Sequence, residues 1–263
     1  MNGATPAEIR HAARHGRLAG PTAGLALGCQ QANIAIVPQA AADDFLAYVR
    51  ANPAACPLLA VGAPGDPRLS ALGAGIDIRT DLPRYRIFRD GEAVEDVAEI
   101  SALWRDDLVT FALGCSLGFE VALAGTGIHL RCHAPGANCS AFDSAMETVA
   151  AGPFCGPLVV TMRAVPEDQV DRVRELTAAH PETHGAPVHV GDPAAIGVDL
   201  GRPIDGIGLT DIRPGEVPVF WACGVTPQRA LERTKLSLAI SHAPGHMLVT
   251  DLPLGPPPYG RSA

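Results

Sequence analysis

Residues 217–251 read V-P-V-F-W-A-C-G-V-T-P-Q-R-A-L-E-R-T-K-L-S-L-A-I-S-H-A-P-G-H-M-L-V-T-D. A short apolar run closes on Ala222-Cys223-Gly224, and a helix start follows at once, with Thr226 expected as N-cap and Pro227 at the first helical position. A second apolar run closes on Ser241-His242, beside a Pro-Gly turn and His246. The order is strand, turn, helix, strand, with a thiol after one strand and an imidazole at the end of the other. In open α/β sheets, sites form outside the carboxyl ends of strands and beside helix N-termini. The segment therefore predicts an α/β fold class and marks a place where reactive side chains gather.

The rest of the chain sets bounds on that reading. Its 263 residues suffice for one large domain or two modest ones. A formal charge of −8 and the lack of any basic run argue against nucleic acid as a partner. The seven cysteines follow no framework spacing. The first twenty residues are polar and carry Arg10, Arg14 and Arg17, unlike a secretory signal, and no apolar run approaches the ~18 residues of a membrane span. Together these features predict a cytoplasmic protein with reduced thiols and no membrane partner. A Walker phosphate loop, G-x-G-x-x-G after a strand, C-x-x-C and G-x-S-x-G are all missing from the sequence, which lowers nucleotide and structural-zinc readings.

Working outward, 8–17 reads as a short helix, 33–37 as a strand, 41–51 as a helix with apolar Phe45, Leu46, Tyr48 and Val49, and 57–61 as a strand. Asp90-Gly91 between 84–88 and 93–97 signals a hairpin. Apolar residues at Ile100, Leu103, Trp104, Leu108, Phe111, Cys115 and Phe119 have helical spacing, with Gly114 and Gly118 as possible breaks. Beyond Gly125 the style changes. Segments 128–132, 158–162 and 186–190 read as strands, and 166–179 as an amphipathic helix. The expectation is a discontinuous α/β domain, 1–125 plus 201–263, carrying the site, with a smaller two-layer α+β domain, 126–200, inserted in it.

Several clusters carry chemistry, each with a plainer alternative. Cys223 near a helix start favours a thiolate or a bound anion; otherwise it is a small buried hydrophobe. His242 and His246 flank a type II turn over Ala243 to His246, so the imidazoles either converge or hydrogen-bond within the loop. If strands 217–222 and 237–241 are parallel neighbours, Cys223 and His242 share a sheet edge. In H-G-A-P-V-H-V-G-D (184–192), His184 and His189 have opposite parity and face opposite ways. One of them, with Asp192, reads as a general base and its orienter, or as a satisfied histidine in a rigid loop. Arg79, Arg84 and Arg86 in 79–86 form a dicarboxylate clamp or a salt-bridged hairpin, and Arg163 is a further clamp candidate. Gly114-Cys115-Ser116 is shaped like a nucleophile elbow, yet Cys115 continues the apolar face of Trp104, Leu108 and Phe111 and reads better as a packed core thiol.

Long blocks of the sequence carry a resemblance: G-P-T-A-G-L-A-L-G-C-Q-Q-A-N-I (20–34), D-I-R-T-D-L-P-R-Y-R (77–86), L-W-R-D-D-L-V-T-F (103–111), G-C-S-L-G-F-E (114–120), A-G-P-F-C-G-P-L-V-V-T-M-R (151–163), H-G-A-P-V-H-V-G-D-P (184–193), V-P-V-F-W-A-C-G-V-T-P-Q (217–228) and H-A-P-G-H-M (242–247). From about Pro6 to Asp251 the chain resembles the D-glutamate cyclase family, whose bacterial members are labelled hydro-lyases. It departs from the family pattern at Cys29, where an aromatic is common, and at Leu117 and Gly118, where Phe and Ser are common. The resemblance implies a three-layer α/β domain with a smaller α+β domain, and a carbon–oxygen lyase. It also implies the cyclisation of D-glutamate to 5-oxo-D-proline plus water, an activity of larger members with an added domain, and a divalent metal such as manganese.

The resulting expectation is dehydration of a small amino dicarboxylate. Arg79, Arg86 and Arg163 would clamp carboxylates, His189 and His242 would act as base and acid with Asp192 orienting one of them, and Cys223 is an alternative covalent nucleophile. The helix start at Thr226 would serve as an anion seat. Two rivals stand beside it. One is a metal-dependent hydrolase or lyase on another small acid, with His242, His246, His189 and Asp192 as ligands. The other is a non-catalytic carboxylate-binding protein. Homodimerisation is the base-rate expectation for the assembly.

Overall fold

The computed structural model describes residues 3–128, 130–131, 139–204 and 208–254. Among the described residues, two antiparallel sheets and five α-helices make up an α/β fold. The first sheet has seven strands. Six run in the order β2 (Leu58–Val61), β5 (Leu108–Gly114), β1 (Cys29–Pro38), β10 (Ala239–His242), β3 (Tyr85–Arg89) and β4 (Glu92–Val97). The seventh, β11 (Leu248–Pro253), pairs with β1 as well. The first half of β1 lies against β11 and its second half against β10. The second sheet has the order β6 (Ser140–Glu147), β7 (Pro157–Pro166), β9 (Glu216–Ala222) and β8 (His189–Val190).

Local chemistry explains most elements. Helix α1 (Pro6–Arg14) opens on a capping box between Thr5 and Glu8 with proline in its first turn. Helix α2 (Gln39–Ala51) buries Ala41, Ala42, Phe45, Tyr48 and Val49, a stripe at helical spacing. The β3–β4 hairpin turns on Asp90 and Gly91, both at positive φ (50° and 86°), the conformation a two-residue primed turn demands. On β7, Val160 and Met162 face one way, and Thr161, Arg163 and Val165 the other, as pleating requires. Val165 packs with helices α3 (Leu117–Gly125) and α4 (Val170–Ala178) through Phe119, Leu123, Val173 and Leu176.

Three expectations change. The apolar spacing over 100–119 is not one helix but a short turn (Ser101–Leu103), then β5, then the start of α3. All seven residues of β5 are buried, so the strand lacks the alternation that marks a half-exposed one. Second, segments 217–222 and 237–241 are not neighbours: β9 pairs with β7 in the second sheet, and β10 pairs with β1 and β3 in the first. Third, every pairing between these strands is antiparallel, so the rule for open parallel sheets does not locate the site. The strand expected over 128–132 falls partly outside the described residues; 130 and 131 are not strand.

One apolar cluster joins the sheets. Phe45 of α2 meets Phe111 of β5 edge-on at 4.8 Å and Phe154, from the β6–β7 connection, at 5.0 Å; Ala222 and the α5 (Thr226–Thr234) residues Ala230 and Leu231 complete it. Phe45→Ala should cost about 3–5 kcal/mol. Urea unfolding checks this, and a loss below ~1 kcal/mol would show that the two sheets do not depend on this contact.

Candidate active site at the junction of the two sheets

Two strand-to-helix junctions meet where the sheets meet. In one, β5 ends at Gly114, and Cys115 and Ser116 lead into α3. In the other, β9 ends at Ala222, and Cys223, Gly224 and Val225 lead into α5. Asn33 of β1 links them. Its Nδ2 donates to the Gly114 carbonyl at 2.6 Å, and the same amide lies so close to Gly224 that a Cβ there would collide with it. Gly114 and Gly224 each adjoin a cysteine, so one buried amide fixes the two cysteine-bearing turns relative to each other.

Arg163 is the electrostatic hub. The residue is 1% exposed, on β7. Its Nε donates to Glu120 Oε1 at 3.1 Å and its Nη2 makes a second, shorter bond to the same oxygen. Nη1 donates to Thr161 Oγ1 at 2.8 Å and Nη2 to Ser116 Oγ at 3.0 Å. The guanidinium also lies 4.7 Å from the Phe119 ring centre and 5.1 Å from that of Trp221. A buried cation needs such compensation, because removing a charge from water is costly without a partner.

Both thiols are half-buried. Dense packing pushes the Cys115 thiol up to about 12; the Leu117 N–H and Arg163 oppose this, while Glu120 and Cys223 add to it. Burial also raises Cys223, against the Val225 N–H and Arg163. Each sulfur thus faces the first N–H groups of a helix, the arrangement that stabilises a thiolate once it forms. His184 joins the cluster from a third direction. It follows the turn Pro181–Thr183, which packs on Gly114 and Gly118 so closely that a Cβ at either glycine would strike Glu182 or Thr183. Its backbone is left-handed (φ 82°), a conformation that non-glycine residues keep only when the surroundings enforce it. Nδ1 lies 2.7 Å from the Ala54 carbonyl, so it carries the proton and donates. Burial, with a smaller contribution from Arg163, lowers this histidine to about 4.

Of the residues expected from sequence, Cys223 and Arg163 meet here, though Arg163 is occupied by Glu120 rather than open as a clamp. The others do not join them. His242 is buried in the first sheet. Its Nδ1 lies 3.1 Å from the Ile34 N and 3.2 Å from the Ile34 carbonyl oxygen, at the point where β1 passes from β11 to β10, and burial lowers it to about 4. It fills a gap in the ladder and stays neutral. His189 Nε2 bonds the Asp192 main-chain carbonyl at 2.8 Å, while the Asp192 carboxylate caps the following turn at Ala194 N. The expected base–orienter pair is therefore a loop brace. Arg79 is bound to Asp77 and Arg86 to Asp96, which turns both away from a shared clamp. Thr226 is the first residue of α5, not its cap, and its hydroxyl bonds the main chain of Val159, which leaves it unsuited to seat an anion. His246 lies in the expected Ala243–His246 turn, with Gly245 at φ 81°, and its Nδ1 bonds the Pro244 carbonyl at 2.9 Å. No three His, Cys, Asp or Glu side chains among the described residues are placed to hold a metal ion. The four expected ligands are divided between the two sheets, and they do not fit a manganese site.

Cys115, Ser116, Glu120 and Asn33 are the site residues that sequence spacing missed. A signal was present: Leu108–Gly114 is a short apolar run of strand length, closed by glycine and followed by a second glycine at 118. Read so, Gly114-Cys115-Ser116 becomes a turn between strand and helix.

Comparison with known proteins bears on this geometry. The family model described as D-glutamate cyclase matches residues 109–251. A protein of Bordetella pertussis that carries the name "Putative hydro-lyase" is 53% identical over 93% of this chain and 88% of its own length. The chain belongs to the D-glutamate cyclase family. A similarly named protein of Burkholderia multivorans is 52% identical, covering 96% of this chain and 97% of its own. Among solved structures, a nitrogen repressor-like protein from Methanococcus jannaschii aligns over 89% of this chain and 91% of its own, at a TM-score of 0.34 and 10% identity, too low to carry an argument. Four of the sequence blocks that resemble this cyclase family (114–120, 151–163, 184–193 and 217–228) supply the cluster around Arg163.

Two outcomes follow. Glu120→Gln leaves Arg163 buried without its counter-charge and should cost about 3–5 kcal/mol; Glu120→Gln with Arg163→Met should recover much of that in a double-mutant cycle followed by urea unfolding. Purely additive losses would mean that the pair does not act as a pair. His184 and His242 both titrate lower folded than unfolded, so their contribution is present above about pH 6.5 and is lost as pH falls towards about 4. Within that window stability should decline by about 1.4 kcal/mol per pH unit for each histidine. His242→Gln should shallow the slope, and an unchanged slope would exclude His242 as a source.

Proposed function

We propose that this chain is a carbon–oxygen lyase that removes water from a small amino dicarboxylate at the Arg163 cluster, with D-glutamate to 5-oxo-D-proline as the leading reaction. Family membership supports the lyase class and the substrate. The observation that carries the choice of site is the meeting of two thiols with one buried arginine at two helix starts.

The chemistry asks for little else. In ring closure the α-nitrogen bonds to the γ-carboxyl carbon, the C–O bond breaks, and the oxygen leaves as water. The ammonium gives up two protons in all and the departing oxygen takes up two, so the reaction is internally balanced in protons. Groups that can both accept and donate a proton suit it. Holding nitrogen and carboxyl in contact contributes further, since effective molarities reach ~10⁵ M in well-oriented pairs. The first N–H groups of α3 and α5 favour negative charge at the reacting centre. No step here is routed through a metal.

The purified protein, incubated with D-glutamate with and without Mn²⁺ and assayed by chiral chromatography, should form 5-oxo-D-proline. Cys223→Ala should lower turnover at least ~100-fold with its melting temperature retained, while Arg79→Ala stays close to wild type. No product under either condition would remove this substrate. Full activity in Cys223→Ala would move the site elsewhere.

A further inference from the structure

We infer that Gln31 and Asn33 together form a seat for a primary ammonium group, which makes the ligand of this site an amine-bearing acid. The inference rests on the function proposed above for the place of the site, and it names the residues that select the substrate there.

The two side chains share one face of β1. Pleating puts residues 31, 33, 35 and 37 on the same side. Ala35 and Val37 pack into the cluster that joins the sheets, while Ala32, Ile34 and Ile36 pack on the opposite side. Gln31 and Asn33 are 5% and 4% exposed. Each amide is anchored through its nitrogen. Gln31 Nε2 donates to the carbonyls of Thr22 at 2.9 Å and Leu25 at 3.1 Å. Asn33 Nδ2 donates to that of Gly114 at 2.6 Å. These bonds fix which end of each amide is oxygen. Gln31 Oε1 is buried without a hydrogen-bond partner, and Asn33 Oδ1 accepts no hydrogen bond among the described residues.

A buried acceptor left open is costly and calls for an explanation. Two of them on one strand face, beside the junction that Asn33 holds, fit a ligand group rich in donors. A primary ammonium has three N–H donors and no acceptor. The side chains start roughly 7 Å apart, a span that one such group can bridge. Amides suit the proposed reaction better than carboxylates would. A carboxylate holds an ammonium in its charged form. A neutral oxygen accepts an N–H from ammonium and free amine alike, so the nitrogen keeps its place as it loses the proton. The starts of α3 and α5 favour negative charge, which turns the acid group of the ligand towards them and the amine towards β1. Gln31 Oε1 has no contact with solvent, so a ligand reaches it through a shift of the 20–28 segment tied to Nε2.

The test is isothermal titration calorimetry of the full-length protein with D-glutamate and with glutarate, which lacks only the amine. The fast heat of binding is read apart from any slow heat of turnover. Wild type should bind D-glutamate at least about tenfold more tightly, as hydrogen bonds to a charged group imply. Gln31→Met should lose most of that preference and bind glutarate as wild type does. General damage to the site would instead weaken both ligands. Gln31→Ala gives the same readout if Gln31→Met does not fold. Gln30→Met should keep the preference, because the Gln30 Oε1 is likewise unpartnered but lies on the other face of β1. Equal affinity of wild type for the two ligands, or a preference that survives in Gln31→Met, would overturn the seat. If the preference is lost in Gln31→Met and wild type yields no 5-oxo-D-proline, the seat stands and the reaction falls. If wild type forms 5-oxo-D-proline and Gln31→Met does so at the same kcat/KM, the seat falls and the reaction stands. Binding of neither ligand, with no product, removes both.

Discussion

The buried ion pair between Arg163 and Glu120 is the interaction on which the rest of this molecule's chemistry depends. A guanidinium with a fully buried side chain survives only because a carboxylate, two hydroxyls and two aromatic rings receive it. Those partners come from β7, from the α3 junction and from β9. One side chain thereby fixes where α3 begins relative to the second sheet, and with it the direction in which Cys115 faces. The interaction does more to specify geometry than to add net stability, as is common for buried ion pairs.

Around that fixed point the titratable groups divide into two kinds. His184 and His242 are buried, bonded to the main chain and held neutral well below their ordinary range, so they brace. The thiols meet main-chain N–H groups instead, Leu117 at Cys115 and Val225 at Cys223. Each lies against a helix start whose N–H groups favour negative charge, within reach of the Arg163 field, and packing keeps both protonated until something draws a proton away. The cluster thus holds one buried ion pair with neutral thiols and a neutral imidazole around it.

Much of the scaffold is legible in the sequence because local rules decide it. The Asp90-Gly91 turn, the apolar stripe of α2 and the strand that ends in Arg163 each announce themselves over a few residues. Most of the misreadings share one cause, which is tertiary context. Leu108, Phe111 and Cys115 are spaced as a helix would space them, yet 108–114 is a strand buried on both faces, where periodicity carries no information. Cys223 and His242 look like partners because short runs end at both. Sequence order does not say which sheet a strand joins, and β9 and β10 join different ones. Glu120 is invisible as the partner of Arg163 because nothing local marks a distant charge pair. The expected arginine clamp fails for the opposite reason: Asp77 and Asp96 lie close in the chain or on the adjoining strand, and they claim Arg79 and Arg86 first.

Asn33 touches two residues that lie far from it along the chain, Gly114 and Gly224. The two cysteine-bearing turns therefore come into register on β1 only after most of the chain is present. Contacts between such remote segments carry a heavy entropic toll on the folding rate. The junction of the two turns thus forms only once β1, β5 and the β9–α5 segment have all come together.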